Sequence, residues 1–443
     1  MPGHKKSSVV SAPGKVLLAG GYIVLDREYS GLVFGLSARI NVVSHPIQPT
    51  QGVHLTEIVV ESPQFDDDSW VYGYTPVEGG GGVKVTQLDP GRKPFKPNHF
   101  VETTLNYVLS YIVSLPPKPS FTAITPAKFT ILADNDYYST SSATPSSRRF
   151  RHLGQTISKA NKTGLGSSAA LVTSLTGCLL SHYLPASVFD LSTPSDRQTL
   201  HNLSQAAHCA AQGKIGSGFD VASAVYGSCI YRRFSPSLLS SLPAPGTRGF
   251  GKAVVETVHS SSWDQEIRKE ETDLAKGYKI RMVDVTGGTA TVSMVKLVNA
   301  WREKNKTEAD ELFANVEGKM KVLAQALKSG DEPGTRKAMG EVRRLMKTMG
   351  EKSGAEIEPD SQTKMLDELE GLEGVVGSVV PGAGGYDAAA LVIKDGEDTV
   401  NRINKFLEEY SQREGVKARL LDVLGEVEGA RLESWDGTRW EEL

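Results

Sequence analysis

Residues 162–171 read KTGLGSSAAL: two glycines and two serines beside a lysine, running straight into an apolar stretch. Glycine brings no Cβ, so the backbone of such a loop can approach a ligand closely. A helix starting just after it offers free N–H groups and the positive end of its dipole, which suits a phosphate. Ser167 and Ser168 add hydroxyls that can bond a phosphate oxygen or ligate a cation, and Lys162 adds charge. An ordinary loop with a serine N-cap would use the same residue types. Two other phosphate loops compete with this reading. The Walker pattern needs Gly-Lys-Ser/Thr after four spacers, and the stretch lacks it. Gly164, Gly166 and Ala169 do match a loose G-x-G-x-x-A dinucleotide fingerprint, but that signature needs a strand immediately before it, and GQTISKANK is polar. Asp190 stands near the distance for a ribose contact, yet Pro185 and the short apolar run Val188-Phe189 make a poor second strand. An NAD-binding oxidoreductase is therefore kept only as a rival from another class.

Outward from the loop, SAALVTSLTGCLLSHYL from Ser168 predicts a buried helix, and SDRQTLHNLSQAAHCAAQ a second one ending at Gly213. GKIGSGFDVASAVYGSCIYRRF follows as a glycine-rich loop, a small-residue helix and a strand. Toward the N-terminus the chain is β-rich. VVSAPGKVLLAGGYIVLD reads as two short strands around a Pro-Gly turn, SARINVVSH and HLTEIVVES as further strands, and KFTILAD as a buried one. HFVETTLNYVLSYIVSL has helical spacing and is stopped by Pro116 and Pro117. The Ser/Thr-rich segment at about 135–152 is expected to be a mobile insertion. The stretch from Ser235 to Gly251 is the best linker, so the expected division is 1–234, a linker at 235–250, and a smaller α+β unit at 251–443.

The chain has 443 residues, 39% hydrophobic and 23% charged, which reads as soluble and globular. A formal net charge of −3 argues against a general nucleic-acid binder. Cys178, Cys209 and Cys229 show no metal-ligand spacing and cannot all pair within one chain, so free thiols in a reducing compartment are expected. MPGHKKSSVVSAPGK has no apolar core of a signal peptide, no apolar run approaches a membrane span, and WEEL is no targeting signal. The expected address is the cytosol, with small molecules as partners, no nucleic acid and no membrane; oligomeric state is not legible.

Two further loops join the first. SAPGKVLLAGGYIVLD, with Lys15, lies near the N-terminus, and PGAGGYDAAALVI, from Pro381, near the C-terminus. In this order and at these distances the three motifs resemble the GHMP kinases. QGKIGSGFDVASAVYGSCIYRRF, KTGLGSSA and PGAGGYDA in their variants resemble the fungal type of phosphomevalonate kinase within them. The resemblance implies an α+β fold with an N-terminal domain like domain 2 of ribosomal protein S5, a C-terminal ferredoxin-like domain, and an active site between them. It implies transfer of the γ-phosphoryl of ATP, with Mg²⁺, to 5-phosphomevalonate, a step toward isoprenoids and sterols; a mevalonate kinase is the nearest alternative.

Residue by residue, the resemblance gives Lys162, Gly164, Leu165, Gly166, Ser167, Ser168 and Ala169 to the ATP phosphates, with Ser168 also the magnesium ligand. It makes Lys15 and Asp220 catalytic and in contact with substrate, and a Lys15–Asp220 charged pair is expected. Gln212 stands where many GHMP kinases carry a glutamate metal ligand, so the second metal contact would fall to water or to His208. Tyr22, Ser217, Gly384 and Gly385 are candidate substrate contacts. Lys214, Arg39 and the run Arg148, Arg149, Arg151 with His152 are candidates for the extra phosphate, which needs cations.

Overall fold

The computed structural model describes residues 7–48, 56–66, 68–89, 91, 97–116, 124–139, 148–285 and 291–434. A ten-stranded sheet is organised around the long strand Ser30–Pro46, which pairs with Val9–Ala19, Cys229–Arg232 and Ala127–Ala133. It continues through Glu57–Glu61, Ser69–Val77 and Gly82–Leu88; Glu57–Glu61 runs parallel to Ala127–Ala133 and the other pairings are antiparallel. On the edge strand, Val83 and Val85 exchange backbone hydrogen bonds with Ser110 and Asn106 of the helix His99–Ser114, so side chains cover the open edge.

Strand Val9–Ala19 is continuous, where two strands around a turn are expected from Pro13-Gly14. The pair instead sits at a register shift: Pro13 faces Arg39 and Gly14 faces Leu36. A residue without an N–H is tolerated at such an irregularity, and the bend aims Lys15 at the glycine loop. The expected second strand is extended as far as Ala19; beyond it lies a single 3₁₀ turn, Ile23–Leu25.

Helix Ser167–Tyr183 packs on Val9–Ala19 and is buried around most of its circumference. Small residues permit this: a Cβ at Gly177 would stand 3.0 Å from Val10. Beside it lie Pro194–Gln212 and Phe219–Tyr226. The second sheet has strand order Val375–Val379, Ala388–Lys394, Tyr278–Val285, Ala418–Leu420, all antiparallel. Numbered along the chain this is 2-3-1-4 with β-α-β-β-α-β connectivity, the expected ferredoxin-like arrangement. Four helices, from Thr291–Lys304 to Asp360–Glu370, fill its first crossover.

The sheets do not change over at the expected linker. Ser235 is tied to Asp264 through its N–H (2.7 Å) and its hydroxyl (2.6 Å). Phe250, in helix Phe250–Val258, stacks edge-on against Tyr107, and Glu266–Arg268 pairs with Cys229–Arg232. The chain enters the second sheet only at Tyr278. It then returns, with Gly425–Glu426 pairing to Ser30–Pro46 and Arg431–Leu432 to Val9–Ala19. Of the expected insertion, 140–147 lies outside the described residues; its flanks are held by Arg148 O to Asn135 (2.7 Å) and by Arg149 to Asp134 (2.6 Å). Among the described residues no helix is long and apolar enough to cross a membrane. Cys178, Cys209 and Cys229 are free and buried.

His201, in helix Pro194–Gln212, is fully buried between Tyr226 and Trp263. Burial lowers its pKa from 6.5 to about 4, with the Asn202 contact pulling the other way. Between these values the unfolded chain holds a proton that the folded one does not. The contribution is thus complete above pH 6.5 and is lost as pH falls toward 4. By linkage this is about 2 kcal/mol at pH 5. Urea unfolding at pH 7.5 and pH 5 should show wild type losing that much more than His201→Asn; equal losses would contradict it.

Candidate active site

A cavity of about 1030 Å³ opens between the two sheets. Lys15, Tyr22, Gly164, His208, Gln212, Lys214, Ser217 and Asp220 line it from the first, and Gly382, Ala383 and Gly384 from the second. The stretches far apart in sequence therefore meet on one void.

The loop before Ser167–Tyr183 is shaped by two left-handed glycines, Gly164 (φ 73°) and Gly166 (φ 81°). At Gly166 a Cβ would also lie 2.8 Å from Lys15 Cε, so both the turn and the close approach require glycine. The loop docks on the first strand: Lys15 N–H donates to Leu165 O at 2.9 Å, and Lys15 Nζ to Gly164 O at 3.3 Å. Leu165 and Ala169 are buried and anchor the turn. No side chain caps the helix and its first turn carries no acid, so the leading N–H groups of Ser167, Ser168 and Ala169 face the loop. Lys162 lies in the short exposed strand Asn161–Lys162, beside the loop but not on the cavity wall.

Ser168 reaches His208, the residue already raised as an alternative metal contact. His208, 2% exposed on helix Pro194–Gln212, sets Nε2 3.1 Å from Ser168 Oγ. The same nitrogen is 3.3 Å from Gln212 Nε2 and 3.8 Å from Asp220 Oδ2. Asp220 Oδ1 also accepts from Val221 N–H at 3.0 Å, at the start of helix Phe219–Tyr226. The hydroxyl, amide and carboxylate oxygens around this imidazole are hard donors that suit Mg²⁺. Among the described residues no group of three or more His, Cys, Asp or Glu forms a protein cage for a metal. A single hydroxyl such as that of Ser168 is a fitting share of protein oxygen for an ion that takes most of its ligands from water and phosphate.

Among the described residues Lys15 and Asp220 form no ion pair within 4.0 Å, contrary to the expected direct contact. They still feel each other: desolvation lowers the Lys15 pKa below the usual lysine range, and the Asp220 carboxylate raises it part of the way back. Tyr22 donates its hydroxyl to Ala383 O at 2.5 Å, and Gly382 N–H donates to Leu17 O at 3.0 Å. These bonds seat the glycine loop from Pro381 against the first sheet. A Cβ at Gly384 (φ 82°) would stand 2.1 Å from Ile357 O; Gly385 N–H donates to that same oxygen at 2.9 Å. Gly384 lines the cavity, and Gly385 holds the loop from behind.

The expected phosphate cations divide. Lys214 is exposed on the cavity wall. Arg39 is not there: it is 2% exposed, donating to Ser11 Oγ at 2.7 Å and Gly429 O at 2.5 Å, with Glu433 3.7 Å away. The returning C-terminal segment buries it, and its role is to staple that segment. Arg149 pairs with Asp134, and His152 lies 3.2 Å from Asp66; neither these nor Arg148 and Arg151 line the cavity. The wall carries instead Lys296, Asn299 and Arg302 from helix Thr291–Lys304, with Arg27 and Arg233. Arg302 pairs with Asp26 (2.5 Å) and Asp310 (2.9 Å), and Arg27 pairs with Asp264. Arg233 donates to Leu25 O and Ile215 O. Like Lys214, Lys296 is exposed and has no ion pair among the described residues. Its signal in the sequence is the spacing 296, 299, 302, one polar face beside the apolar Met294, Val298 and Trp301.

Residues 152–228 match the family model for the GHMP kinases N terminal domain. The chain is 53% identical to a phosphomevalonate kinase of Gibberella zeae over 96% of this chain and 97% of that one. It is 42% identical to a phosphomevalonate kinase of Aspergillus fumigatus over 96% of each. Among solved structures, the Streptococcus pneumoniae phosphomevalonate kinase in complex with phosphomevalonate and AMPPNP is similar with a TM-score of 0.61 and 15% identity, over 96% of this chain and 99% of that one. A Lin0012 protein from Listeria innocua is similar with a TM-score of 0.69 and 19% identity, over 97% and 100%. At these identities the structural likenesses speak to the fold.

Proposed function

The chain belongs to the phosphomevalonate kinases of the GHMP kinase superfamily, and from that premise we propose that it moves the γ-phosphoryl of ATP onto the 5-phosphate of 5-phosphomevalonate, giving 5-diphosphomevalonate and ADP. The observation that carries the reading is the convergence of Lys15, Gly164 and Asp220 on one cavity beside an uncapped helix start and a glycine loop, with Ser168 joined to that wall through the lining His208. The N–H groups of Gly166 to Ala169 take the nucleotide phosphates, and Lys15 points at the phosphoryl in flight. Mg²⁺, when bound, screens charge on the β- and γ-phosphate oxygens. Ser168 offers it a hydroxyl, and Asp220, through its charge on Lys15, favours the protonated form against the desolvation that opposes it. Tyr22 acts on the acceptor at one remove, by seating the loop that carries Gly384. The three free cysteines fit a cytosolic address, though an Arabidopsis thaliana relative bears the name peroxisomal.

Acceptor choice follows from Lys214 and Lys296, two wall ammoniums that, like Lys15, have no acidic partner among the described residues. A site that leaves cations without their anion rejects the lighter acceptor, so mevalonate should have kcat/KM at least about 10³-fold below 5-phosphomevalonate. ADP release with each acceptor measures this; equal values would make the chain a mevalonate kinase. Lys214→Ala and Lys296→Ala should each raise KM for 5-phosphomevalonate about ten-fold and leave KM for ATP alone. A shift in the ATP constant instead would move those lysines to the nucleotide.

A further inference from the structure

We infer that His208 is a positioning residue whose Nε2 takes the hydroxyl proton of Ser168 and so turns the lone pairs of that oxygen toward the metal. The inference rests on the role given to Ser168 above. A serine hydroxyl has one proton and two lone pairs. To ligate a cation it must aim a lone pair at the ion, so its proton needs an acceptor elsewhere. Left to rotate, the O–H spends part of its time pointing at the cation, where it repels. His208 Nε2, 3.1 Å from Ser168 Oγ, is placed to prevent that.

The surroundings decide which way the proton runs. Nε2 also faces the Gln212 amide nitrogen at 3.3 Å. The amide nitrogen can only donate, which makes Nε2 an acceptor and leaves the ring proton on Nδ1; the Ser168 hydroxyl, which can do either, then donates to it. Asp220 Oδ2, at 3.8 Å, is outside hydrogen-bond reach and does not claim a proton from Nε2. His208 and Gln212 stand one turn apart on helix Pro194–Gln212, so both lean over the same face, toward the start of Ser167–Tyr183. Phe100, its ring centroid 6.0 Å away, packs beside the imidazole, and burial to 2% exposure holds the ring in one orientation. A histidine merely filling the core would not need its nitrogen on a hydroxyl at the head of the glycine loop.

The test is calorimetric titration with ADP, with and without Mg²⁺, on the full chain. No acceptor substrate enters, so the outcome is independent of whether 5-phosphomevalonate is the substrate. His208→Phe keeps the ring volume and loses the acceptor nitrogen. His208→Asn, too short to reach Ser168, is a second arm should the phenylalanine variant fold poorly, and His208→Gln can restore an acceptor oxygen. We expect the gain in ADP affinity conferred by Mg²⁺ to shrink about ten-fold in His208→Phe and His208→Asn, to recover in His208→Gln, and metal-free ADP affinity to stay within about two-fold throughout. An unchanged Mg²⁺ gain in His208→Phe or His208→Asn overturns the inference. So does equal weakening with and without the metal, or a glutamine variant no better than the others.

Discussion

Lys15→Ala is expected to lower kcat about 10³-fold with the fold kept. The ammonium meets Gly164 O and lies 5.8 Å from the centroid of the Phe219 ring, with no carboxylate within ion-pair distance among the described residues. It is thus uncommitted until phosphates arrive. Phosphoryl transfer relies on positioning and charge stabilisation, and removing one preorganised cation from such a site costs about 10³ or more in rate. Asp220→Asn should do much less, about ten-fold. A phosphomonoester has its second pKa near 6, so at pH 7 the attacking oxygen is already largely ionised and needs no general base. The structure sharpens this division. Asp220 acts on Lys15 through space, raising a pKa that desolvation has lowered. Above that pKa the charge is lost, so wild-type kcat/KM should fall on the alkaline side at a pH below the ordinary 10.5 of lysine. Asp220→Asn removes the raising effect and should move the alkaline limb to lower pH. Rate measurements from pH 6 to 10 on the three proteins decide it. An inactive Asp220→Asn beside an active Lys15→Ala would make Asp220 a base and end this reading.

What was legible in the sequence is what local chemistry fixes. A left-handed glycine, a hydroxyl at a helix start and an apolar run behind it are read from adjacent residues alone, and Gly164, Gly166 and Ser168 occupy those places. The alternation of strands and helices announced only an α+β second unit; its ferredoxin-like order was implied by the resemblance to the GHMP kinases. Arg39 was not legible, because its burial is made by Gly429 and Glu433, nearly the whole chain away. A basic residue in a strand looks the same whether it waits for a phosphate or staples a C-terminal return. Lys296 was hidden for the opposite reason: the polar face of an amphipathic helix resembles a solvent face until a second sheet is laid opposite. The domain boundary failed at Pro- and Gly-rich composition. Ser235 to Phe250 reads as a linker, but Leu239 and Phe250 are buried in the first core.

Ser168→Ala is the second large effect. It deletes one oxygen and leaves Gly164, Gly166 and the helix start untouched, so nucleotide phosphates keep their N–H donors. The variant should lose about 10²-fold in kcat while metal-free ADP binds within about two-fold of wild type. Full activity at ordinary Mg²⁺ would remove Ser168 from the metal. The same variant decides what His208 is for. If the imidazole acts only by directing the Ser168 hydroxyl, it has nothing to direct once that oxygen is gone. His208→Phe should then cost about ten-fold in the wild-type background and close to nothing in Ser168→Ala. A double-mutant cycle separates this from a packing role, because a side chain that merely fills space costs the same in both backgrounds. Asp220 provides the control. At 3.8 Å it borders the imidazole without bonding it, so His208→Phe and Asp220→Asn should combine nearly additively. Strong coupling of His208 to Asp220, with additivity to Ser168, would mean that the ring serves the carboxylate and the serine holds its own proton.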